Sequence, residues 1–282
     1  MSIAITGASG RLGRLVVQKL KGKVDPALIV AMVRDSAKTH DLGVAVRQAD
    51  YDQPAQLEKA LQGVEKVLLI SSSEEEGKAR QHLNVIAAAV KAGVKYMAYT
   101  SLLRTETSPI SIAADHIVTE RAMRESGLDV TMLRNGWYTE NYADFFLAAS
   151  GSGTLYGCAG DGRFSSATRS DYADAAVKVL TSQGHEGKIY ELAGDTSYTL
   201  ADVAKELSRL IGKVVTYQNA SDSEYIAALK RMGLPHLDAA KIANFDTSAA
   251  KGALFDEGRQ LSALIGHSTE PLATTLQQML KR

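Results

Sequence analysis

Up to about residue 135 the apolar residues fall in short runs separated by amphipathic stretches. Runs at 3–6, 28–33, 44–49, 66–71, 96–100 and 129–133 predict strands, and the stretches 11–21, 54–62, 77–92 and 112–126 predict helices. This alternation is the signature of a parallel sheet with crossover helices on its faces. Within 77–92, Leu83, Ile86, Ala87 and Val90 recur at three- and four-residue spacing, which predicts that this stripe faces the sheet, and Gly93 is placed to end the helix. Beyond 135 the pattern loosens into a glycine-bearing loop (Gly151, Gly153, Gly157, Gly160, Gly162), a helix near 170–182 and a strand around 189–192. A mostly helical tail follows, opened twice by a capping-box pattern, Thr199 with Asp202 and Ser221 with Glu224, the aspartate being the weaker match. A short strand is expected between them at 214–217. The fold class expected is α/β, a Rossmann-type parallel sheet with helices on both faces and a smaller, mostly helical C-terminal lobe. Residues 1–134 form the dinucleotide-binding core, and 135–282 form substrate-side segments and a lobe packed on it. The chain partly re-enters the sheet near 189–193, and the whole could equally be one domain. A cleft between sheet edge and lobe is the natural ligand site.

Composition narrows the function. Of 282 residues, 45% are hydrophobic and 23% charged, which excludes disordered, collagenous and disulfide-scaffold chains. Lys+Arg and Asp+Glu number 32 each, so no cationic excess argues for nucleic acid as a partner. The single cysteine, Cys158, permits no intramolecular disulfide, and the histidines lack the paired spacing of a metal site. No basic-then-apolar leader opens the chain, and no apolar run approaches the ~20 residues of a membrane span. A cytoplasmic protein without membrane partner is expected; a homo-oligomer is left open.

The sharpest local signal is Thr6-Gly7-Ala8-Ser9-Gly10-Arg11-Leu12-Gly13, directly after the first strand and opening the first helix. Gly7 permits the tight turn, Gly10 lets backbone approach a pyrophosphate, and Gly13 lets the helix pack on the strand. The spacing is GxxGxxG rather than GxGxxG, and its setting points to a dinucleotide site. About twenty residues later the second strand ends in Arg34-Asp35, where NAD sites usually carry an acid for the ribose hydroxyls. Arg34 offers a planar fork for a 2′-phosphate, which favours NADPH. The alternative is an arginine paired with Asp35 or another carboxylate, and Asp35 could still serve a ribose.

Short-chain dehydrogenases place a Ser or Thr after the fifth strand and a Tyr-x-x-x-Lys pair on the next helix. Here Tyr99-Thr100-Ser101 supplies hydroxyls, but the helix carries His116 and Glu120 on one face, where the Tyr and Lys would stand. An ordinary alcohol dehydrogenase loses its proton relay without that pair. His116 is the candidate proton donor, against the plainer reading of a solvent-facing or packing histidine. After the sixth strand comes Asn135-Gly136-Trp137-Tyr138-Thr139-Glu140, with the only tryptophan of the chain. An aromatic floor suits a flat acceptor and an amide can orient a carboxamide, whereas the bland alternative is internal packing of Trp137 and Tyr138.

Together these segments resemble one family. TGASGRLG at 6–13, VRD at 33–35, ADY at 49–51, LLISSSE at 68–74, YTSLL at 99–103, LRNGWYTENY at 133–142, SATRSDYADAA at 166–176, GHEGKIYELAG at 184–194 and KGALFDEGRQLSALIGH at 251–267 are similar to the bacterial NmrA-like atypical short-chain dehydrogenases. Within that group the likeness is strongest to the quinone-reducing members, with the triphenylmethane dye reductases near by. The resemblance implies hydride delivery from NADP(H) to a quinone without a flavin. It further implies that 6–11 form the pyrophosphate loop, that Arg34 meets the 2′-phosphate, and that Ser73, Glu74 and Glu75 lie along the cofactor. Because acidic side chains repel phosphates, backbone groups are the expected contacts there. Residues 135–140 resemble the nicotinamide-side wall, and Tyr172 a further cofactor contact. A quinone accepts hydride without a strong protein acid because aromatisation of the product offsets much of the barrier, so the missing Tyr–Lys pair fits this substrate. The competing readings are a non-catalytic NADP(H)-binding redox sensor and a reductase of cationic dyes; sugar-nucleotide epimerisation is disfavoured by the absent pair.

Overall fold

The computed structural model describes residues 2–74 and 76–281. The elements run β1 (Ile3–Ile5), α1 (Arg11–Lys21), β2 (Ile29–Val33), β3 (Ala45–Gln48), α2 (Pro54–Ala60), β4 (Lys66–Leu69), α3 (Lys78–Lys91), β5 (Tyr96–Leu102), α4 (Ala113–Glu125) and β6 (Asp129–Asn135). Then follow α5 (Ala143–Ser152), β7 (Thr154–Gly157), α6 (Arg169–Thr181), β8 (Ile189–Leu192), α7 (Leu200–Ile211) and β9 (Thr216–Asn219). Four helices close the chain: α8 (Asp222–Arg231), α9 (His236–Ala250), α10 (Gln260–Ile265) and α11 (Leu272–Met279). They group into two compact units. The first holds the chain through Thr105, Ala114–Asn135 and Arg169–Leu192; the second holds Glu106–Ala113, Gly136–Thr168 and the chain from Ala193 onward.

The first unit is a seven-stranded, wholly parallel sheet in the order β3-β2-β1-β4-β5-β6-β8. Chain direction across the sheet reverses between β1 and β4, the switch point at which such sheets bind ligands. β1 and β2 are buried at every position, as expected of strands covered on both faces, while β3 at one edge is largely open. β5 and β6 run past the apolar stretches that announce them, pairing Ser101 with Arg134 and Leu102 with Asn135. Their polar ends are tolerated because the groups satisfy one another. The Arg134 guanidinium donates to both Glu120 oxygens at 2.9 and 2.7 Å and to Glu191 at 2.8 Å, and the Ser101 hydroxyl donates to Glu120 at 2.6 Å.

The apolar stripe expected on α3 does not face the sheet. Leu83 and Val90 are 40% and 44% exposed and Ala87 is exposed; of the four only Ile86 is buried. The buried face is instead Lys78, Gln81, His82, Val85, Ile86, Ala88 and Ala89. Small alanines let the helix sit close, and Gln81 and His82 are admitted because their polar atoms are hydrogen-bonded, as described below.

In the second unit β7 and β9 pair in parallel from Thr154 with Thr216 to Gly157 with Asn219. The short strand begins two residues later than its apolar residues suggest. Ser208 takes the Val215 amide at 2.8 Å and Val214 is left exposed. Both capping boxes form as read, at Thr199 with Asp202 and at Ser221 with Glu224. The interior of this unit is aromatic: Tyr142 stacks on Phe146, meets Phe164 edge-on, and donates to the buried Asp246 carboxylate at 2.6 Å.

Arg134→Met removes the closest cation from the buried Glu120 carboxylate, leaving it the Ser101 hydroxyl at 2.6 Å and Arg124 at 3.4 Å. Its unfolding free energy in urea is expected to fall by about 3–5 kcal/mol, with part regained in the double variant that adds Glu120→Gln. A loss within error would show that Glu120 finds another partner.

Candidate functional site

β1 delivers Thr6 and Gly7 to the carboxyl edge of the sheet. Gly7 turns the chain at φ +58°, the left-handed region that favours glycine, and the Gly10 amide closes the turn on the Gly7 carbonyl at 2.9 Å. A Cβ on Gly13 would lie 2.4 Å from the Gly7 carbonyl oxygen and 2.7 Å from the Ala8 Cα. Gly13 therefore seats α1 against the turn itself rather than against the strand. The residue before α1 is Gly10, which brings no side-chain cap, and its first turn carries no acid. The helix thus presents its positive end and uncapped amides, the arrangement that binds phosphate.

These groups line one wall of a cavity of about 480 Å³ lined by the first unit alone. Gly7, Ser9, Gly10, Arg11 and Gly13 form this wall; the ends of β2 and β3 add Arg34, Asp50 and Tyr51, and the loop after β4 adds residues up to Glu74. Of the predicted turn, Thr6 and Ala8 lie beneath the lining, both fully buried. Thr6 Oγ1 donates to the Leu68 carbonyl at 3.1 Å and accepts from the Ile70 amide at 3.0 Å and from the Tyr51 hydroxyl. The Ala8 amide donates to the Met32 carbonyl at 3.2 Å.

The loop after β4 is held amide by amide. Ser71 N–H donates to Thr100 Oγ1 at 2.9 Å, Ser72 N–H to His82 Nε2 at 2.9 Å, and Glu74 N–H to Ser72 Oγ at 3.2 Å. Ser72 Oγ in turn donates to Gln81 Oε1 at 2.6 Å, and Gln81 Nε2 to Asp52 at 2.8 Å. The Ser71, Ser72 and Glu74 amides are thus engaged inside the protein. Ser73 is exposed and lines the cavity; Glu75 lies outside the described residues. Arg34 also lines the cavity, and its Nη1 meets Glu74 Oε1 at 2.8 Å, the carboxylate pairing left open above, while Asp35 caps the Ala37 amide at 3.0 Å. Asp50, Ser72, Gln81 and Arg169 have no role assigned from sequence, although Asp50, Ser72 and Arg169 fall within the segments 49–51, 68–74 and 166–176 that carry the resemblance. Asp50, Ser72 and Gln81 follow carboxyl ends of strands or begin a crossover helix, so position along the predicted elements was the available signal.

His116 lies in the interior, 4% exposed, and does not line the cavity. Its Nδ1 is 2.7 Å from the Tyr99 hydroxyl. His82, fully buried, accepts the Ser72 amide on Nε2, so its own proton sits on Nδ1, facing Thr119 Oγ1 at 2.9 Å. Burial pushes both imidazoles down to about 3; His116 and Lys78 add to this at His82, and Lys78 at His116. Burial raises the Tyr99 phenol. The helix face that would carry Tyr and Lys therefore bears a neutral histidine and, at Glu120, a carboxylate already held by Arg134. Tyr172 is buried on α6, with its hydroxyl 3.4 Å from the Leu192 carbonyl, and is not part of the cavity lining.

Asn135 ends β6 in the first unit, where its carbonyl accepts from the Leu103 amide at 3.0 Å; Gly136 begins the second. There Trp137 packs edge-on against Phe245 with ring centroids 4.7 Å apart, Tyr138 bridges to Ala167, and Thr139 Oγ1 lies 2.7 Å from Ser166 Oγ. Glu140 is half-buried. Among the described residues no group of three or more His, Cys, Asp or Glu could hold a metal ion, and no helix is long and apolar enough to cross a membrane.

The buried imidazoles carry a pH signature. In the unfolded chain they titrate near 6.5 and in the folded chain near 3, so between these values the unfolded state binds more protons and stability is lost as pH falls. The expected loss is on the order of 1 kcal/mol per pH unit for each histidine, read from urea midpoints at about pH 7 and about pH 5.5. It should be shallower in His116→Gln; an identical slope would place the His116 proton equilibrium elsewhere.

The model of the NmrA-like family matches residues 1–273. Quinone oxidoreductase 2 of Escherichia coli (strain K12) is 53% identical over 280 residues, 98% of either chain. The crystal structure of an NADPH-dependent quinone oxidoreductase from Escherichia coli complexed with NADPH superposes with a TM-score of 0.97 at 53% identity, covering 99% of both chains. The triphenylmethane reductase of Citrobacter sp. complexed with NADP(H) gives 0.96 at 40% identity, covering 99% of this chain and 100% of that one. With its glycine turn, its sheet order and its full-length likeness to these proteins, the chain belongs to the NmrA-like family.

Proposed function

We propose that this protein is an NADPH:quinone oxidoreductase that works by direct hydride transfer, without flavin. The observation that carries the reading is the 53% identity to quinone oxidoreductase 2 along essentially the whole chain. The cavity supports it. No Cβ fits at Gly13 and Gly7 needs its positive φ, so the turn is committed to a close backbone approach, and the α1 amides above it suit a pyrophosphate. Gly7 and the run Ser9, Gly10 and Arg11 hold the pyrophosphate over the buried Thr6 and Ala8, Arg34 takes the 2′-phosphate, and Ser73 with Glu74 flanks the adenosine side. Asn135, which ends β6 in the first unit, serves the nicotinamide side. Tyr172, buried on α6 with its hydroxyl 3.4 Å from the Leu192 carbonyl, does not line this cavity.

When bound, NADPH supplies a hydride. The chain's own part is to position donor and acceptor and to keep the donor end dry. None of His82, His116 or Glu120 is set to deliver a proton: two are neutral imidazoles with low pKa and the third is locked in an ion pair. Water meets the proton demand of the hydroquinone, which an electrophilic quinone permits. Nor can a thiol pair carry the electrons, since Cys158 is the only cysteine, buried, and pushed up to about 12. A lone inert thiol also suits a cytoplasmic setting.

Purified protein is expected to oxidise NADPH with a small benzoquinone and no added flavin, and to use NADH less well. NADPH binding without turnover across a quinone panel would leave the redox-sensor reading standing, and turnover confined to cationic triphenylmethane dyes would move the substrate class. Arg34→Asp is expected to weaken NADPH binding by ~1.5–3 kcal/mol, the range for a hydrogen bond to a charged group, and NADH binding much less. Equal losses would show that Arg34 does not meet the phosphate.

A further inference from the structure

We propose that Glu74 sets the cofactor preference of the site by competing with the 2′-phosphate for Arg34, an inference that rests on the NADP(H) reading of the cavity. Arg34, after β2, and Glu74, in the loop after β4, both line the cavity and close an ion pair at 2.8 Å. Both backbones are fixed. The Arg34 carbonyl accepts from Gln48 Nε2 at 3.2 Å, and the Glu74 amide is tied to Ser72, itself held by His82 and Gln81. The pairing is thus built in from two anchored segments. Asp35, adjacent in sequence, does not take the role, because its carboxylate caps the Ala37 amide. Asp50, the other acid of the lining, accepts the Asp52 amide at 3.0 Å.

The pair is exposed, with Arg34 at 67% and Glu74 at 44%, and joins one guanidinium nitrogen to one carboxylate oxygen. Such contacts are weak. A phosphate brings more charge and a matched fork for the guanidinium, so it displaces Glu74 rather than being shut out. Displacement leaves a carboxylate beside a phosphate, and NADPH bears both costs. A cofactor with a plain 2′-hydroxyl bears neither: the pair stays closed, and Glu74 Oε2 can accept from the hydroxyl. Glu74 therefore narrows the preference that Arg34 creates, and keeps the site open to both nicotinamide cofactors.

The test is calorimetric titration of NADPH and NADH into wild type, Glu74→Gln, Arg34→Ala and the double variant. In Glu74→Gln the Kd for NADPH is expected to fall about two- to fivefold, while that for NADH is unchanged or rises, so the ratio of the two widens. In the Arg34→Ala background the same change should lose most of this effect, because the competition needs both partners. An unchanged or narrowed ratio in Glu74→Gln, or an equal widening with Arg34 absent, overturns the inference. Failure of quinone turnover with these binding ratios intact would sink only the quinone reading; failure of wild type to bind either cofactor would sink both.

Discussion

The site depends on one buried hydroxyl. Thr6 Oγ1 donates to the Leu68 carbonyl while accepting from the Ile70 amide and the Tyr51 hydroxyl, so a single atom ties together the chain leaving β1, β3 and β4. Buried amides must be paired, and at this point the sheet ladder has run out. Without the hydroxyl the Ile70 amide would lose its acceptor, and the loop that follows would lose its first anchor. Burial raises the Tyr51 phenol, which keeps it a neutral donor. The three segments that splay apart at the switch point are thereby held at fixed separation, and the cavity between them is a consequence of how they are held.

The same logic extends inward. Thr100 and His82 take the next two amides of the loop, and His82 passes the connection to Thr119 of α4, beside the contact of Tyr99 with His116. The region where related dehydrogenases keep a tyrosine and a lysine for proton transfer is here a satisfied scaffold of neutral imidazoles and the Glu120–Arg134 ion pair. The Ser72 amide holds His82 in one tautomer, and the low pKa of both imidazoles makes them poor acids. Loss of a proton relay and gain of a rigid loop are two faces of one substitution of side chains. That exchange is affordable only for an acceptor that does not need acid assistance.

Legibility from sequence followed the same division. Where burial is apolar and periodic the elements could be read: the strands of the parallel sheet, α1 to its bounds, and both capping boxes. Reading failed where polar groups are buried because something pairs with them. The buried face of α3 is not legible because Gln81 and His82 look like surface residues in the sequence, and their partner Ser72 lies on another segment. β5 and β6 look shorter in the sequence than they are because Ser101 and Arg134 break the apolar run, and the Glu120 and Glu191 carboxylates, distant in the chain, explain their burial. The glycine turn was legible because each glycine answers a backbone constraint local to the motif. The partner of Arg34 was not, since 40 residues separate it from Glu74 and two nearer or equally acidic candidates, Asp35 and Glu76, present the same chemistry.

Charge balance links these observations. Lysine and arginine equal aspartate and glutamate over the chain, and the cavity repeats the pattern on a small scale, with Arg11, Arg34 and Arg169 against Asp50 and Glu74. A ligand carrying several phosphate charges is thus met by little net side-chain charge. The attraction has to come from the amides and dipole of α1, which act over the first turn only. Long-range steering is therefore slight, and discrimination falls to contacts made at hydrogen-bond distance. In such a site one carboxylate moved toward or away from one guanidinium shifts a balance that a strongly basic pocket would swamp.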